Sequence, residues 1–317
     1  MKLPKRIIIR VPGTSANLGP GFDILGMALK VYNVFDFSFN DQLGYLVSMK
    51  NGESLPFTQE EDLTFYSYNQ YFKIFLNKSK APSYQCKMEL ELPMKGGLGS
   101  SASAVVAGFC LAREVHRYLY TETQLPSEGR FLYELAMQEG HPDNTSPAYL
   151  GGYVLSYFDR KDHLSYYKKK FPRSTAIYYL TPHIEVSTSE SRKVLPKSYS
   201  TEDVIFNMTR MATWIQYFET RRFSDLKLAL QDRIHTPYRI PEIPSLNEII
   251  NLVEKKQMAY CLSGSGPTIL IFMERKKVSQ LEKVFIKEVD DCMKQKGISY
   301  TLKKILSCED GVQITKK

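Results

Sequence analysis

Short apolar runs and longer amphipathic stretches alternate along the chain, and their period changes repeatedly. Arg6 to Val11 reads as a buried strand, and the turn-rich residues Pro12 to Gly21 follow it. Val31 to Phe39 and Tyr84 to Leu92 read as further strands. Residues 61–77, 101–117 and Arg130 to Gln138 carry helical periodicity, and Gly151-Gly152 leads into a strand from Tyr153 to Phe158. Beyond about residue 170 the pattern begins again. Thr175 to Leu180 is strand-like, while Thr201 to Tyr217, Phe223 to Gln231 and Ile243 to Lys255 are helical. Ala259 to Leu262 and Thr268 to Phe272 flank a Gly264/Gly266 turn. Val278 to Lys296 forms a long amphipathic helix that Gly297 ends, and Ser299 to Ile305 supplies a last strand. Helices with an antiparallel sheet make the second half α+β. With neither repeats nor a low-complexity linker to mark it, the domain boundary is placed between residues 169 and 170.

Length and composition narrow the class. A chain of 317 residues, 43% of them hydrophobic, has material for two domains with real cores. No apolar run approaches the ~20 residues that span a bilayer. The N-terminus has basic residues but no signal-type hydrophobic segment, so the expected location is cytoplasmic, without a membrane partner. Cys86, Cys110, Cys261, Cys292 and Cys308 are scattered and form no C-x-x-C pair, and the five histidines lack ligand spacing. That argues against a disulfide framework or a zinc site. The net charge of +8 invites an anionic partner. Its clusters, at 168–170, 221–222 and 275–277, are short and accompany no nucleic-acid motif, so they read as solvated faces and no nucleic-acid partner is expected.

Candidate chemistry begins at Leu92-Pro93-Met94-Lys95-Gly96-Gly97-Leu98-Gly99-Ser100-Ser101-Ala102-Ser103, between a strand and a helix. Its glycines let a ligand approach the backbone, and its serines sit where a helix offers free N–H groups and the positive end of its dipole. Such a site holds phosphate. A P-loop would need Lys after the last glycine, where Ser100 stands. Gly97, Gly99 and Ala102 satisfy the dinucleotide spacing G-x-G-x-x-A, but the acidic residue about 20 positions on is missing: Glu114 lies inside the helix and Glu122 directly after it.

The segment resembles the ATP loop of the GHMP kinases, P-x-G/S-x-G-L-G-S-S-A/G, which implies that Pro93, Met94, Lys95, Gly96, Gly97, Leu98, Gly99, Ser100, Ser101, Ala102 and Ser103 bind ATP. Lys95 stands where the family has a small residue, either as an added phosphate contact or as an exposed side chain. Four further segments resemble the homoserine kinase branch. Residues 11–23, V-P-G-T-S-A-N-L-G-P-G-F-D, differ from its form by Gly13 for Ala and imply that Asn17 and Asp23 line an amino-acid pocket. Taken by themselves, both residues would serve equally as turn caps. Residues 139–152 match E-G-H-P-D-N-V-A-P-A-x-x-G-G with Thr145-Ser146 for Val-Ala, implying His141 in the substrate pocket and Asp143 at the reacting centre. Thr188 to Arg192 before Leu195-Pro196, and His235 to Arg239, match S/T-x-x-x-R and H-x-P-Y-R. Leu262 to Thr268 resembles the C-terminal glycine loop L-S-G-A-G-P-T.

The resemblance implies Thr188, Arg192 and Arg239 as further substrate-binding residues. Asp23 suits an ammonium and the paired guanidinium forks suit a carboxylate, a clamp for a zwitterion. It implies Asp143, Glu134 and Arg192 as catalytic. The magnesium carboxylate is Glu134, through a one-residue gap, or Glu139, joined by Ser100 or Ser101; one or two protein ligands suffice for Mg²⁺. The implied fold is α+β, an N-terminal ribosomal-protein-like domain (1–169) and a C-terminal ferredoxin-like domain (170–317). The implied activity is ATP- and Mg²⁺-dependent phosphorylation of the side-chain hydroxyl of L-homoserine to O-phospho-L-homoserine, in threonine biosynthesis, with a homodimer left open. The alternatives are another GHMP-type small-molecule kinase and a ligand-sensing relative without catalysis.

Overall fold

The computed structural model describes residues 2–39, 45–58, 60–78, 81–184, 186–244 and 246–317. The first sheet is built on two long strands, β1 (Arg6–Ala16) and β2 (Leu25–Ser38), paired antiparallel from Arg6↔Ser38 to Ala16↔Gly26 with a register shift between Pro12 and Gly13. That shift bends β2, which then has two partners on its free side. Residues 33–38 pair β4 (Gln85–Leu90), and residues 25–27 pair β5 (Tyr153–Arg160). β3 (Leu46–Met49) lies parallel to β4, and α1 (Leu63–Leu76) connects the two in sequence. β6 (His163–Lys169) closes a hairpin with β5.

Ile7, Ile9 and Val11 alternate on β1 toward the first core, where Phe35 and Phe37 of β2 meet Tyr68, Tyr71 and Phe72 of α1. α2 (Ser100–Leu119) adds Val105, Val106, Phe109 and Leu111, and α3 (Glu128–Met137) adds Phe131, Leu132 and Leu135. Asp62 caps α1, accepting from the amides of Thr64 at 2.8 Å and Phe65 at 3.3 Å. The short α4 (Thr145–Leu150) precedes β5.

The second sheet is antiparallel with the order β10-β7-β9-β8. Its strands are β7 (Thr175–Pro182), β8 (Ala259–Leu262), β9 (Ile269–Glu274) and β10 (Tyr300–Ile305). Numbered within their domain, these run 4-1-3-2, the ferredoxin-like order expected from the resemblance. β7 is buried along its whole length because its two faces serve two cores. Ile177 and Tyr179 face a core shared with the first sheet and α6 (Thr201–Thr220), which contributes Trp214 and Tyr217. Ala176, Tyr178 and Leu180 face α9 (Leu246–Lys255) and α10 (Val278–Gln295). The shared core joins the two domains. α5 (Thr188–Lys193), α7 (Phe223–Ala229) and α8 (Thr236–Arg239) carry the connections.

One element changes the expected division. β11 (Gln313–Lys316) returns to the first sheet and pairs antiparallel with β1, from Ile7↔Lys316 to Arg10↔Gln313. The boundary at 169/170 therefore leaves a strand of the first sheet in the second half of the chain. Its four residues are too few for a visible period and only Ile314 packs inward. Truncation before Gln313 strips the hydrogen-bond partner from β1 and removes the Lys316–Glu114 ion pair. A lower melting temperature is expected, by about 2–4 °C for each kcal/mol lost. Calorimetry of the full-length and truncated chains measures it, and an unchanged melting temperature would refute the strand's role.

Candidate active site

The glycine loop is wedged between β1 and the second domain. Leu98 O accepts from Thr14 N at 3.0 Å, Gly97 O from Ser263 Oγ at 2.5 Å and Gly96 O from Thr268 Oγ1 at 2.5 Å. In a trans peptide the N–H points opposite to the C=O. The amides of Gly97, Leu98 and Gly99 are thereby turned away from these partners. Gly99 has φ +72°, and a Cβ there would lie 2.0 Å from Thr14 Oγ1, so any other residue is strained and would displace the Thr14 side chain. Gly99 is also the N-cap of α2 and provides no side-chain cap, which leaves the first amides of a 20-residue helix for a ligand.

These groups border a cavity of about 320 Å³ lined from both domains, by Gly96, Gly97, Gly99, Ser100 and Ser101 on one side and Asn17, Asp23, Arg192 and Arg239 on the other. His141 and Asp143 lie between them in the lining. Asp23 and Arg192 form a bidentate pair at 2.6 and 3.0 Å, which raises the Arg192 pKa further. Asn17 does both things expected of it. It lines the cavity, and it braces the loop, accepting from Asp23 N at 3.1 Å and donating to Gly264 O at 3.1 Å.

Arg239 is buried and donates to Ser191 O and Gly264 O, both at 3.1 Å. Among the described residues it has no carboxylate partner. Burial, and then the charge of Arg192, lower its pKa, but a guanidinium stays protonated regardless. Both guanidinium groups lie within reach of the Phe22 ring, at 5.3 and 5.2 Å from its centroid.

His141 Nδ1 lies 2.5 Å from Asp143 Oδ1, and ligand atoms of Asp23, His141 and Asp143 all fall within 4.8 Å of one another. Burial disfavours a charged His141, but the hydrogen bond and charge of Asp143, backed by Glu139 and Asp23, outweigh it and raise its pKa. β2 places this pair by close approach, since a Cβ on Gly26 would sit 1.8 Å from Asp143 O.

The structure separates the two candidate magnesium carboxylates. Glu134 lies outside the cavity lining and pairs with Arg130 one turn back on α3. It is not positioned to hold a cation beside the glycine loop, which corrects the first choice made from the sequence. Glu139 lines the cavity and accepts from Ser101 Oγ at 2.5 Å. Among the described residues its Oε2, which is buried, has no hydrogen-bond partner, and burial raises its pKa. An orphaned carboxylate oxygen beside a serine hydroxyl and a helix N-terminus suits a divalent cation. Of the two serines, Ser101 rather than Ser100 makes this contact.

Other expectations also move. Ser103 is fully buried, accepting from Asn33 Nδ2 at 2.9 Å and donating to Ser100 O at 2.7 Å, so it supports the loop from behind, and Leu98 belongs to the shared core. Met94 borders a second cavity of about 310 Å³ instead, with Phe57, Met88 and Leu90; Lys95, Ser100 and Ser101 border both. Lys95 has φ +52°, a left-handed conformation uncommon outside glycine. Thr188 opens α5, and its side chain lies outside the described residues. Asn144, in the lining and 2.7 Å from Thr14 Oγ1, was passed over although it ends the E-G-H-P-D-N run.

Comparison with known proteins identifies the family and the fold. The models for the GHMP kinases N terminal domain and the GHMP kinases C terminal match residues 67–152 and 214–290. A homoserine kinase of Clostridium beijerinckii is 33% identical over 300 residues, 93% of this chain and 94% of that protein. One of Solibacter usitatus is 34% identical over 268 residues, covering 84% and 85%. The crystal structure of a homoserine kinase from Cytophaga hutchinsonii superposes with a TM-score of 0.80 over 99% of both chains at 22% identity, a likeness of fold.

Proposed function

Because the chain belongs to the homoserine kinase family of the GHMP kinases, we infer that its cavity transfers the γ-phosphoryl group of ATP to the side-chain hydroxyl of L-homoserine, giving O-phospho-L-homoserine on the route to threonine. The observation that carries the choice of acceptor is Arg239, a buried guanidinium that among the described residues forms no ion pair with a carboxylate, in the same cavity lining as Arg192 and Asp23. A free α-amino acid supplies the missing carboxylate and an ammonium for Asp23. Mevalonate and sugars offer no ammonium. The Asp23–Arg192 pair then opens into two halves, each taking one end of the zwitterion.

On the donor side, the amides of Gly97, Leu98 and Gly99 and the uncapped start of α2 receive the phosphates. The second cavity, apolar along Phe57, Met88 and Leu90, takes the adenine ring. Glu139 and Ser101 are the residues that would hold Mg²⁺, whose contribution is to neutralise charge on the transferring phosphates. Asp143 stands at the reacting centre, oriented by His141, and receives the hydroxyl proton on the oxygen that His141 leaves free. Phosphoryl transfer depends mainly on positioning, so the clamp does its work by fixing the hydroxyl in line.

An ATP-dependent screen of homoserine, mevalonate, galactose and shikimate, with a parallel lane lacking magnesium, tests this. Phosphate should appear on homoserine alone and only with the metal. Preferential transfer to another acceptor would overturn the assignment, and no transfer at all would favour a ligand-sensing relative.

A further inference from the structure

The three short basic clusters of the sequence, at 168–170, 221–222 and 275–277, converge in the fold. Lys170, Arg221 and Arg275, one from each, line a cavity of about 1080 Å³ together with Arg173 and with Lys30 of β2. This cavity lies where the domains meet. Arg221 caps the end of α6, Arg275 follows β9, and the wall is completed by Leu306 to Asp310, which lead from β10 back toward β11. The other members of the clusters are engaged elsewhere. Lys168 donates to Leu150 O and Glu309 O at 2.6 and 2.9 Å, and Lys169 lies over the Tyr167 ring. Arg222 pairs with Asp225, and Lys276 and Lys277 pair with Glu274. Among the described residues, none of the five cations in the lining pairs with a carboxylate. Arg221 and Arg275 each commit only Nε within the chain, to Phe218 O at 3.1 Å and Arg173 O at 2.5 Å.

We propose that this cavity is a second anion site, distinct from the glycine loop, for a small polyphosphate. No residue lines both cavities. Glu309 and Asp310 also border the second one, and Glu309 already accepts from Ser307 Oγ at 2.6 Å. Five cations against two carboxylates leave a positive excess that a single negative charge does not offset, and a concave wall focuses its field. Guanidinium forks match phosphate oxygens in pairs. The lining favours a compact anion over a nucleic acid, because its aromatic ring, Phe171, is 5% exposed and gives a base no face to stack on. An anion held here touches both domains and so steadies the junction across which the active-site cavity is built.

Acetylation footprinting of lysines by mass spectrometry, with inorganic tripolyphosphate as the probe, tests the site without reference to the phosphoryl acceptor. Lys30 and Lys170 should lose reactivity by about tenfold, as nine-tenths occupancy requires, while Lys287 on α10 stays unchanged. Tighter protection by ATP would identify the ligand as a nucleotide, and equal protection as the polyphosphate group alone; both uphold the site. Lys170→Ala/Arg173→Ala should weaken the protection of Lys30 by about tenfold or more, with an unchanged circular dichroism spectrum and ATP KM. Protection of Lys95 alone would confine the probe to the glycine loop and overturn the proposal. So would equal protection of Lys287, unaltered protection of Lys30 in the variant, or tighter protection by short single-stranded DNA.

Discussion

Arg239→Ala is expected to raise the KM for homoserine by about 10²–10³-fold while the KM for ATP stays within about twofold. Arg239 is buried and, among the described residues, forms no direct ion pair; Asp23, Asp143 and Asp232 act on it only through space, which leaves its fork available for the substrate carboxylate. Removing one member of a buried charge pair costs about 3–5 kcal/mol, which is the size of the predicted change. The glycine loop does not use this side chain, hence the split between the two substrates. Arg239 also donates to Ser191 O and Gly264 O, so a loosened scaffold has to be separated from a lost contact. Arg239→Lys keeps the charge without the fork and should fall between wild type and alanine. Steady-state kinetics on both variants, with melting temperatures, decide the matter. An unaltered homoserine KM would sink the carboxylate assignment.

Glu139→Gln is expected to act on kcat, lowering it by about 10²–10³-fold with little change in the homoserine KM. Its buried Oε2 has no hydrogen-bond partner among the described residues and lies in a carboxylate already held by Ser101. Such a group is stabilised as an anion only when a cation joins it. Glutamine keeps the shape and removes the charge, so the variant should fold normally and bind magnesium-nucleotide more weakly by titration calorimetry. Glu134→Gln is the control. Glu134 is paired with Arg130 outside the cavity, and its loss should leave kcat near wild type. If Glu134→Gln abolishes turnover and Glu139→Gln does not, the assignment is reversed.

Much of the architecture was legible as pattern. The apolar run at Arg6 to Val11 and the amphipathic repeat at Val278 to Lys296 both became the expected element. β2 was read only from Val31 onward, since Leu25 to Leu29 are all buried and so do not alternate. β11 and β3 went unread because four-residue edge strands carry too few inward positions to show a period. In the site, the motifs brought the glycine loop, Asn17, Asp23, His141, Asp143, Arg192 and Arg239 forward together, and the cavity lining contains them. Motif position erred at Glu134, because helix α3 turns that residue toward Arg130 while Glu139 lies beyond the helix end.

What the sequence determined by itself is the chemistry on offer: a glycine loop opening a helix, an acid and two arginines matched to a zwitterion, and a family whose order of motifs they follow. Local rules suffice for that, since turn residues, caps and periodicity act over a few positions. What only the tertiary structure decided is which of those groups face one another. Gly97 meets Ser263, and Asp23 meets Arg192, across the junction of two domains. Among the described residues, the cavity carboxylate that keeps a buried oxygen without a hydrogen-bond partner is Glu139. These outcomes depend on long-range packing and desolvation, which the spacing of residues along the chain does not encode one position at a time.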